Sequence, residues 1–297
     1  MIVGIDIGGT NFRIGALDNN NNIQGFSKAY VNDVLKSGDV LLDIANFIES
    51  NFSNKKIDAI AIGIPGTLDV ERKRIVQVPN VEGMNNLDAV KYLENKFNVP
   101  VYLEKDVNMI INYDIYTNKI NTDGIICAIY YGTGIGNAIM VNGNVLIGKN
   151  GAAGEIGHIP VDGCNEVCGC GNVGCMEAVA GGKYLKKLND EYYKDCHISE
   201  IFTKHKNDEK IIQFIDRMAM ALATEINIIN PDKIIVGGGI INMENFPLDI
   251  FNEKIKLHVR KPLPLNDLDI IYTEDNEKAG VIGACLYASR ILSDNKI

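Results

Sequence analysis

Strand and helix signals follow one another in the same order in the two halves of this chain, and that repetition constrains the fold more than any other feature. In the first half, strand-like runs over 1–7, 12–17 and 23–30 precede a helical pattern in which Val40, Leu41, Ile44 and Ile48 share one face. A nearly continuous apolar strand over 57–64 follows, the kind buried on both faces of a sheet. The tract from Asp18 to Asn22 reads as a hairpin turn, because Asn tolerates left-handed backbone angles. In the second half, runs over 125–130, 136–141 and 145–147 are joined by glycine and Asn-Gly turns, and a helix over 211–229 precedes the apolar strand Ile234-Ile235-Val236. A last strand over 268–272 leads to a closing helix over 280–292, which can return to pack on the first lobe. Strands followed by a helix and a buried strand mean α/β architecture, here built twice.

With 297 residues and 46% apolar content the chain can bury a large core, and its length fits two lobes. No run of 18 or more apolar residues occurs, and Met1-Ile2-Val3-Gly4 opens on a strand with no basic leader, so no membrane association and a cytoplasmic location are expected. A formal charge of −9 argues against a nucleic-acid partner, which requires a basic face. Seven cysteines are an odd number, and four of them lie between 164 and 175, a pattern that suits a metal better than disulfides. Cys127, Cys196 and Cys285 read as ordinary thiols.

The crowded region is chemically specific. Cys168, Cys170 and Cys175 form C-x-C-x₄-C, His158 lies ten residues upstream, and glycines let the backbone turn around a small ion, zinc being the leading candidate. Cys164 is close by, but the C-x-C-G-x-x-G-C pattern favours the other three. Glu155 and Glu177 flank the cluster. Elsewhere, Asp6-Ile7-Gly8-Gly9-Thr10-Asn11 follows a buried strand, its glycines permit close approach of backbone N–H groups to phosphate, and Asp6 is suited to holding Mg²⁺. Gly132-Thr133-Gly134-Ile135-Gly136 stands at the equivalent turn of the second half, so that two turns facing across a cleft can grip one polyphosphate. Gly237-Gly238-Gly239 follows a strand and leaves bare backbone for a base or ribose.

These segments carry a resemblance. Asp6 to Asn11 with Arg13, Y-G-T-G-I-G (131–136), G-E-I-G-H (154–158), C-x-C-G-x-x-G-C-x-E (168–177) and P-D-x-I-I-x-G-G-G (231–239) resemble, in this order, the ROK family of bacterial sugar kinases and repressors. The resemblance spans nearly the whole chain. It implies an actin-like ATPase fold, two ribonuclease-H-like lobes with a cleft between them: a smaller lobe of 1–118 plus 283–297 and a larger one of 119–282. It implies ATP with Mg²⁺, a structural Zn²⁺ on His158, Cys168, Cys170 and Cys175, and a homodimer. Nucleotide contacts are implied for Asp6, Gly8, Gly9, Thr10, Asn11, Arg13, Gly132, Thr133, Gly134, Gly237, Gly238 and Gly239. Asp106, after a strand over 99–103, is implied as the catalytic base, although an Asp before V-N-M-I-I-N also suits a helix cap. Asn80, Lys105, Asp106, Asn108, Glu155, His158 and Glu177 are the implied sugar contacts.

Within the family, K-D-V-N (105–108), 237–247 and R-K-P-L-P (260–264) resemble D-allose kinases. Lys105 stands where glucokinase-like and N-acetylmannosamine-kinase-like members carry Asn. The expected reaction is therefore phosphoryl transfer from ATP to the 6-hydroxyl of an aldohexose, D-allose first, with a glucokinase or N-acetylmannosamine kinase as the alternative. A sugar-responsive repressor is less favoured, since its helix-turn-helix precedes the first phosphate motif and Asp6 lies five residues from Met1. The Lys105 cation is expected to lower the Asp106 pKa and to turn toward another acid or the sugar ring.

Overall fold

The computed structural model describes residues 1–294 apart from Asn19 and Asn80. The chain divides into two compact units. The first comprises Met1–Asn121, Ile147–Ala153 and the C-terminal segment from Asn276; the second comprises Thr122–Leu146 and Gly154–Asp275.

In the first unit, β1 (Ile2–Ile7), β2 (Asn11–Leu17), β3 (Ile23–Tyr30), β4 (Ala59–Ile64) and β5 (Val101–Lys105) form one sheet in the order β3-β2-β1-β4-β5. The first three are antiparallel and β1, β4 and β5 are parallel. All six residues of β4 are buried, as its unbroken apolar sequence requires. The turn between β2 and β3 closes with Asp18 N–H donating to the Asn22 carbonyl at 3.1 Å, and Asn21 takes φ +59°; Asn19 of the same tract lies outside the described residues. Helix α1 (Val40–Phe52) starts where Asp39 accepts the Leu42 N–H and buries Val40, Ile44, Ile48 and Phe52, spaced at four, against this sheet's core. Strand β5 begins at Val101 rather than 99, because Pro100 has no N–H for the ladder, and it runs on to Lys105.

Helix α3 (Asp106–Thr117), which follows after α2 (Ala89–Phe97), and the closing helix, Ala279–Asp294, pack together on β1 and β4. Glycine makes that packing possible. A Cβ at Gly283 would overlap the Met109 carbonyl, and one at Gly4 would overlap the Val281 carbonyl.

The second unit repeats the pattern with β6 (Ile125–Tyr131), β7 (Ile135–Val141), β8 (Asn144–Val145), β9 (Lys233–Gly237) and β10 (Ile270–Tyr272), in the order β8-β7-β6-β9-β10. The same sequence of three antiparallel strands followed by two parallel ones is the duplicated ribonuclease-H-like arrangement of an actin-like ATPase fold. A long helix, Glu209–Ile229, buries Phe214, Ile215, Met218, Leu222 and Ile226 and stops at Asn230 in the left-handed conformation. The strand expected over 145–147 ends at Val145. Gly148 and Gly151 have φ +75° and +76°, and Ile147–Ala153 belongs to the first unit instead of extending the second unit's sheet. No helix among the described residues is long and apolar enough to cross a membrane.

Candidate active site

In the first unit, Asp6 ends β1 opposite Arg13 on β2, whose Nη1 lies 2.8 Å from the Asp6 carboxylate. The chain reverses through Gly8, Gly9 and Thr10, with the Gly8 N–H donating to the Asn11 carbonyl at 2.8 Å and the Thr10 carbonyl accepting from Val31. Gly9 and Thr10 are exposed, whereas Asp6 is 9% exposed. Burial raises the Asp6 pKa and Arg13 works against that rise. Gly280, which carried no signal in the sequence beyond opening a helix, lies directly against it: a Cβ there would come within 2.6 Å of Asp6 Cγ. Gly280→Ala is therefore expected to force Asp6 or the closing helix to shift and to lower the first unit's thermal midpoint by a few degrees, as calorimetry would show.

Asp106 is the first residue of α3. The helix-cap position belongs to Lys105, in extended conformation with no side-chain cap, so the capping alternative for Asp106 is replaced by a local bond in which its Oδ1 accepts the Val107 N–H at 2.8 Å. Burial, then the Asp6 carboxylate, push the Asp106 carboxyl up to about 6; Lys105 and the Val107 N–H pull the other way and are outweighed. Lys105 lowers it as its charge requires, but the net shift is upward. Lys105 itself is 8% exposed, and its Nζ lies 3.5 Å from the Ala153 carbonyl.

Beneath these residues is a buried network without a sequence motif. Glu104 is fully buried and Arg72 is 9% exposed; Arg72 Nε lies 3.0 Å from both Glu104 oxygens. The same carboxylate accepts the Lys105 N–H at 2.8 Å and the Asn108 amide at 3.0 Å. Arg72 Nη1 also donates to the Gly151 carbonyl, tying Ile147–Ala153 to the end of β5. Asn108, expected at a sugar hydroxyl, is instead buried at 4% exposure with its amide on Glu104. Asn80, the other expected amide, lies outside the described residues.

The second unit supplies the other turn. Gly132 to Ile135 is held by the N-terminus of a helix, Gly182–Tyr192, where the Gly182 and Lys183 N–H groups donate to the Gly132 and Thr133 carbonyls at 2.9 and 3.0 Å. Glu177, expected to read sugar, sits against this turn: its Oε2 accepts the Ile135 N–H at 2.9 Å and fills the space a Cβ on Gly134 would need. Gly238 has φ +96°, and a Cβ there would come within 2.6 Å of the Tyr131 backbone, so only glycine lets β9 pass so close to β6. The segment after Gly239 lines a cavity of about 300 Å³ with Ile241, Met243, Phe246 and Tyr272 as apolar walls and Asn242 and Thr273 as polar groups. That size and lining suit a small, partly apolar ligand group.

His158, Cys168, Cys170 and Cys175 converge, their donor atoms all within 4.8 Å of one another. The His158 Nδ1 to Cys168 Sγ distance is 3.6 Å and the Cys170 to Cys175 Sγ distance is 3.7 Å. Zinc–sulfur and zinc–nitrogen bonds of ordinary length give tetrahedral edges of about 3.6 Å for N–S and about 3.8 Å for S–S, so the four donors fit that ion. Cys164 is not among them. The His158 Nε2 is turned the other way, 3.7 Å from a Glu155 oxygen. Burial and the neighbouring thiols push Cys175 up to about 12, a state a bound cation reverses.

A model of the ROK family matches residues 2–291. The chain is 27% identical over 305 residues to a glucokinase from Thermotoga maritima, with 95% of each chain covered. It is 30% identical over 268 residues to the DNA-binding transcriptional dual regulator NagC of Escherichia coli, covering 84% of this chain and 64% of that protein. A crystal structure of a ROK family glucokinase from Streptomyces griseus, solved with glucose and AMPPNP, superimposes with a TM-score of 0.79 at 23% identity, covering 97% of this chain and 99% of that one.

Proposed function

Because the chain belongs to the ROK family, we propose that it is an ATP-dependent sugar kinase that phosphorylates the 6-hydroxyl of an aldohexose, with D-allose preferred. The observation that carries this reading is Asp106: a carboxylate at a strand end, with its pKa raised to about 6 and the Asp6–Arg13 turn beside it in the sheet, poised to accept a proton near neutral pH. Phosphoryl transfer asks for positioning and charge neutralisation more than for covalent chemistry. Asp106 takes the hydroxyl proton as the sugar oxygen attacks the γ-phosphorus and ADP departs. Asp6, held by Arg13, would hold the Mg²⁺ of the nucleotide, which would neutralise charge on the phosphates. Backbone N–H groups of Gly9 and Thr10, and of Thr133 and Gly134, would be offered to phosphate oxygens, and the cavity after Gly237 to Gly239 would take the adenosine. Glu155 and the Nε2 of His158 read sugar hydroxyls, with Glu177 bracing the second turn; Glu104 and Asn108 position Lys105 and Asp106 from below. Lys105 supplies a donor where an amide would offer both donor and acceptor, which is the basis for placing D-allose before D-glucose.

His158, Cys168, Cys170 and Cys175 would hold a structural zinc, which supplies a rigid frame for the loop carrying Glu155 and His158. After dialysis against a mild chelator, metal analysis is expected to find this zinc retained, one per chain, and Cys170→Ser is expected to lose it together with most activity. Full activity in a preparation that keeps no metal would contradict the assignment.

The Asp106 carboxylate and both glycine turns favour catalysis over a purely regulatory role. Steady-state kinetics on D-allose and D-glucose test the proposal: kcat/KM is expected to favour D-allose by tenfold or more, about 1.4 kcal/mol for one well-read hydroxyl. Equal or reversed values would leave a sugar kinase of another specificity, and no sugar-dependent ATP consumption would remove the kinase.

A further inference from the structure

The second unit contains another group of metal-binding side chains, sharing no residue with the first. Asp195 and Cys196 lie on the connection that follows the helix Gly182–Tyr192, and His205 ends the short helix Ile201–His205. One donor atom from each lies within 4.8 Å of the other two. We propose that Asp195, Cys196 and His205 form a second metal site, taking a divalent transition ion of the zinc class with water completing its coordination.

The imidazole makes the case. His205 is enclosed, its side chain 18% exposed and its ring 4.4 Å from that of Tyr193. Its Nε2 is 3.1 Å from an Asp195 oxygen and its Nδ1 is 3.1 Å from an Asp208 oxygen. A neutral imidazole has one N–H and one lone pair, so in that form one of these contacts sets a lone pair against a carboxylate. An ion between Nε2 and Asp195 resolves the conflict and leaves Nδ1–H to donate to Asp208, the carboxylate–histidine–metal arrangement that fixes a ligand's tautomer and orientation. Zinc bonded to nitrogen and oxygen at its ordinary lengths puts those two atoms about 3.3 Å apart, close to what is seen. Cys196 adds a sulfur donor, and imidazole, thiolate and carboxylate together select zinc, cobalt or nickel over magnesium or calcium. The Cys196 thiol is half-buried with its Sγ 3.7 Å from the Tyr193 carbonyl, and burial and Asp195 raise its pKa. Binding is therefore an exchange: the S–H bond breaks as the S–metal bond forms, and the proton leaves to solvent. With three protein ligands, one of them exposed, this site exchanges its ion more readily than the four-ligand knuckle and acts as a clip on the loop before His205. The inference does not depend on the kinase reading.

The test is titration of the full chain, as purified with its knuckle loaded, with Co²⁺, followed by the near-ultraviolet thiolate-to-cobalt absorption and by metal content after gel filtration. Wild type is expected to bind one equivalent more than Cys196→Ser and one more than His205→Gln, with both variants keeping the knuckle zinc as the sign that they are folded. The difference of one equivalent holds whatever the knuckle contains. Equal stoichiometry in wild type and both variants, or no binding by wild type beyond the knuckle, would overturn the site.

Discussion

Asp106→Asn is expected to lower kcat by ~10²–10⁴-fold while sugar and nucleotide affinities stay within a few-fold of wild type. The substitution preserves shape and the bond to the Val107 N–H, since the amide oxygen can accept it, but removes the site that takes the proton. The pH profile gives an independent reading. Burial and Asp6 place the carboxyl at about 6, so as pH falls through that value the base becomes protonated and kcat/KM drops about tenfold per pH unit. Above that value the base stays ionised and the rate is level. The variant should lose this limb along with its rate. Near-normal turnover in Asp106→Asn, or a wild-type acid limb that survives in it, would take the role of base away from Asp106.

The second large effect is on stability. Arg72→Met leaves the Glu104 carboxylate, fully buried, without its cation. Breaking one side of a buried ion pair costs about 3–5 kcal/mol, and the remaining partner then has only the Lys105 N–H and the Asn108 amide to satisfy it. A fall in the first unit's thermal midpoint on the order of 10 °C is expected by calorimetry. Arg72→Lys should recover little, because an ammonium cannot face both Glu104 oxygens through Nε and reach the Gly151 carbonyl through Nη1 at once. Pairing Arg72→Met with Glu104→Met should restore part of the loss, since two apolar side chains need no compensation. A double variant less stable than Arg72→Met alone would show that the pair does something other than neutralise buried charge.

What the sequence made legible was whatever depends on local pattern. The duplicated strand order, the glycine turns at 8–9 and 132–136 and the His158–Cys168–Cys170–Cys175 set follow from periodicity, from residues that alone tolerate close backbone approach, and from ligand spacing. What it hid depends on three-dimensional neighbours. Arg72 sits in a charged surface-like run, yet a left-handed backbone at φ +56° turns its side chain inward to Glu104, and its second partner, Gly151, comes from 79 residues later. Gly280 matters only because Asp6 lies against it. Lys105 lowers the Asp106 pKa as its charge requires, but the desolvation and the nearby Asp6 that outweigh it come from the fold and not from the local sequence. Asn108 and Glu177 illustrate the same limit: each has the chemistry to read a hydroxyl, and each is engaged by a neighbour, Glu104 and the Ile135 N–H respectively.

Phosphorus NMR of the purified chain with Mg-ATP and D-allose tests the central claim most directly. The account predicts that the γ-phosphate signal is replaced by an equal amount of hexose 6-phosphate, with ADP formed one for one and the conversion lost in Asp106→Asn. ATP left intact across a panel of D-allose, D-glucose, D-mannose and N-acetylmannosamine, or hydrolysed to free phosphate with no sugar phosphate, would contradict it.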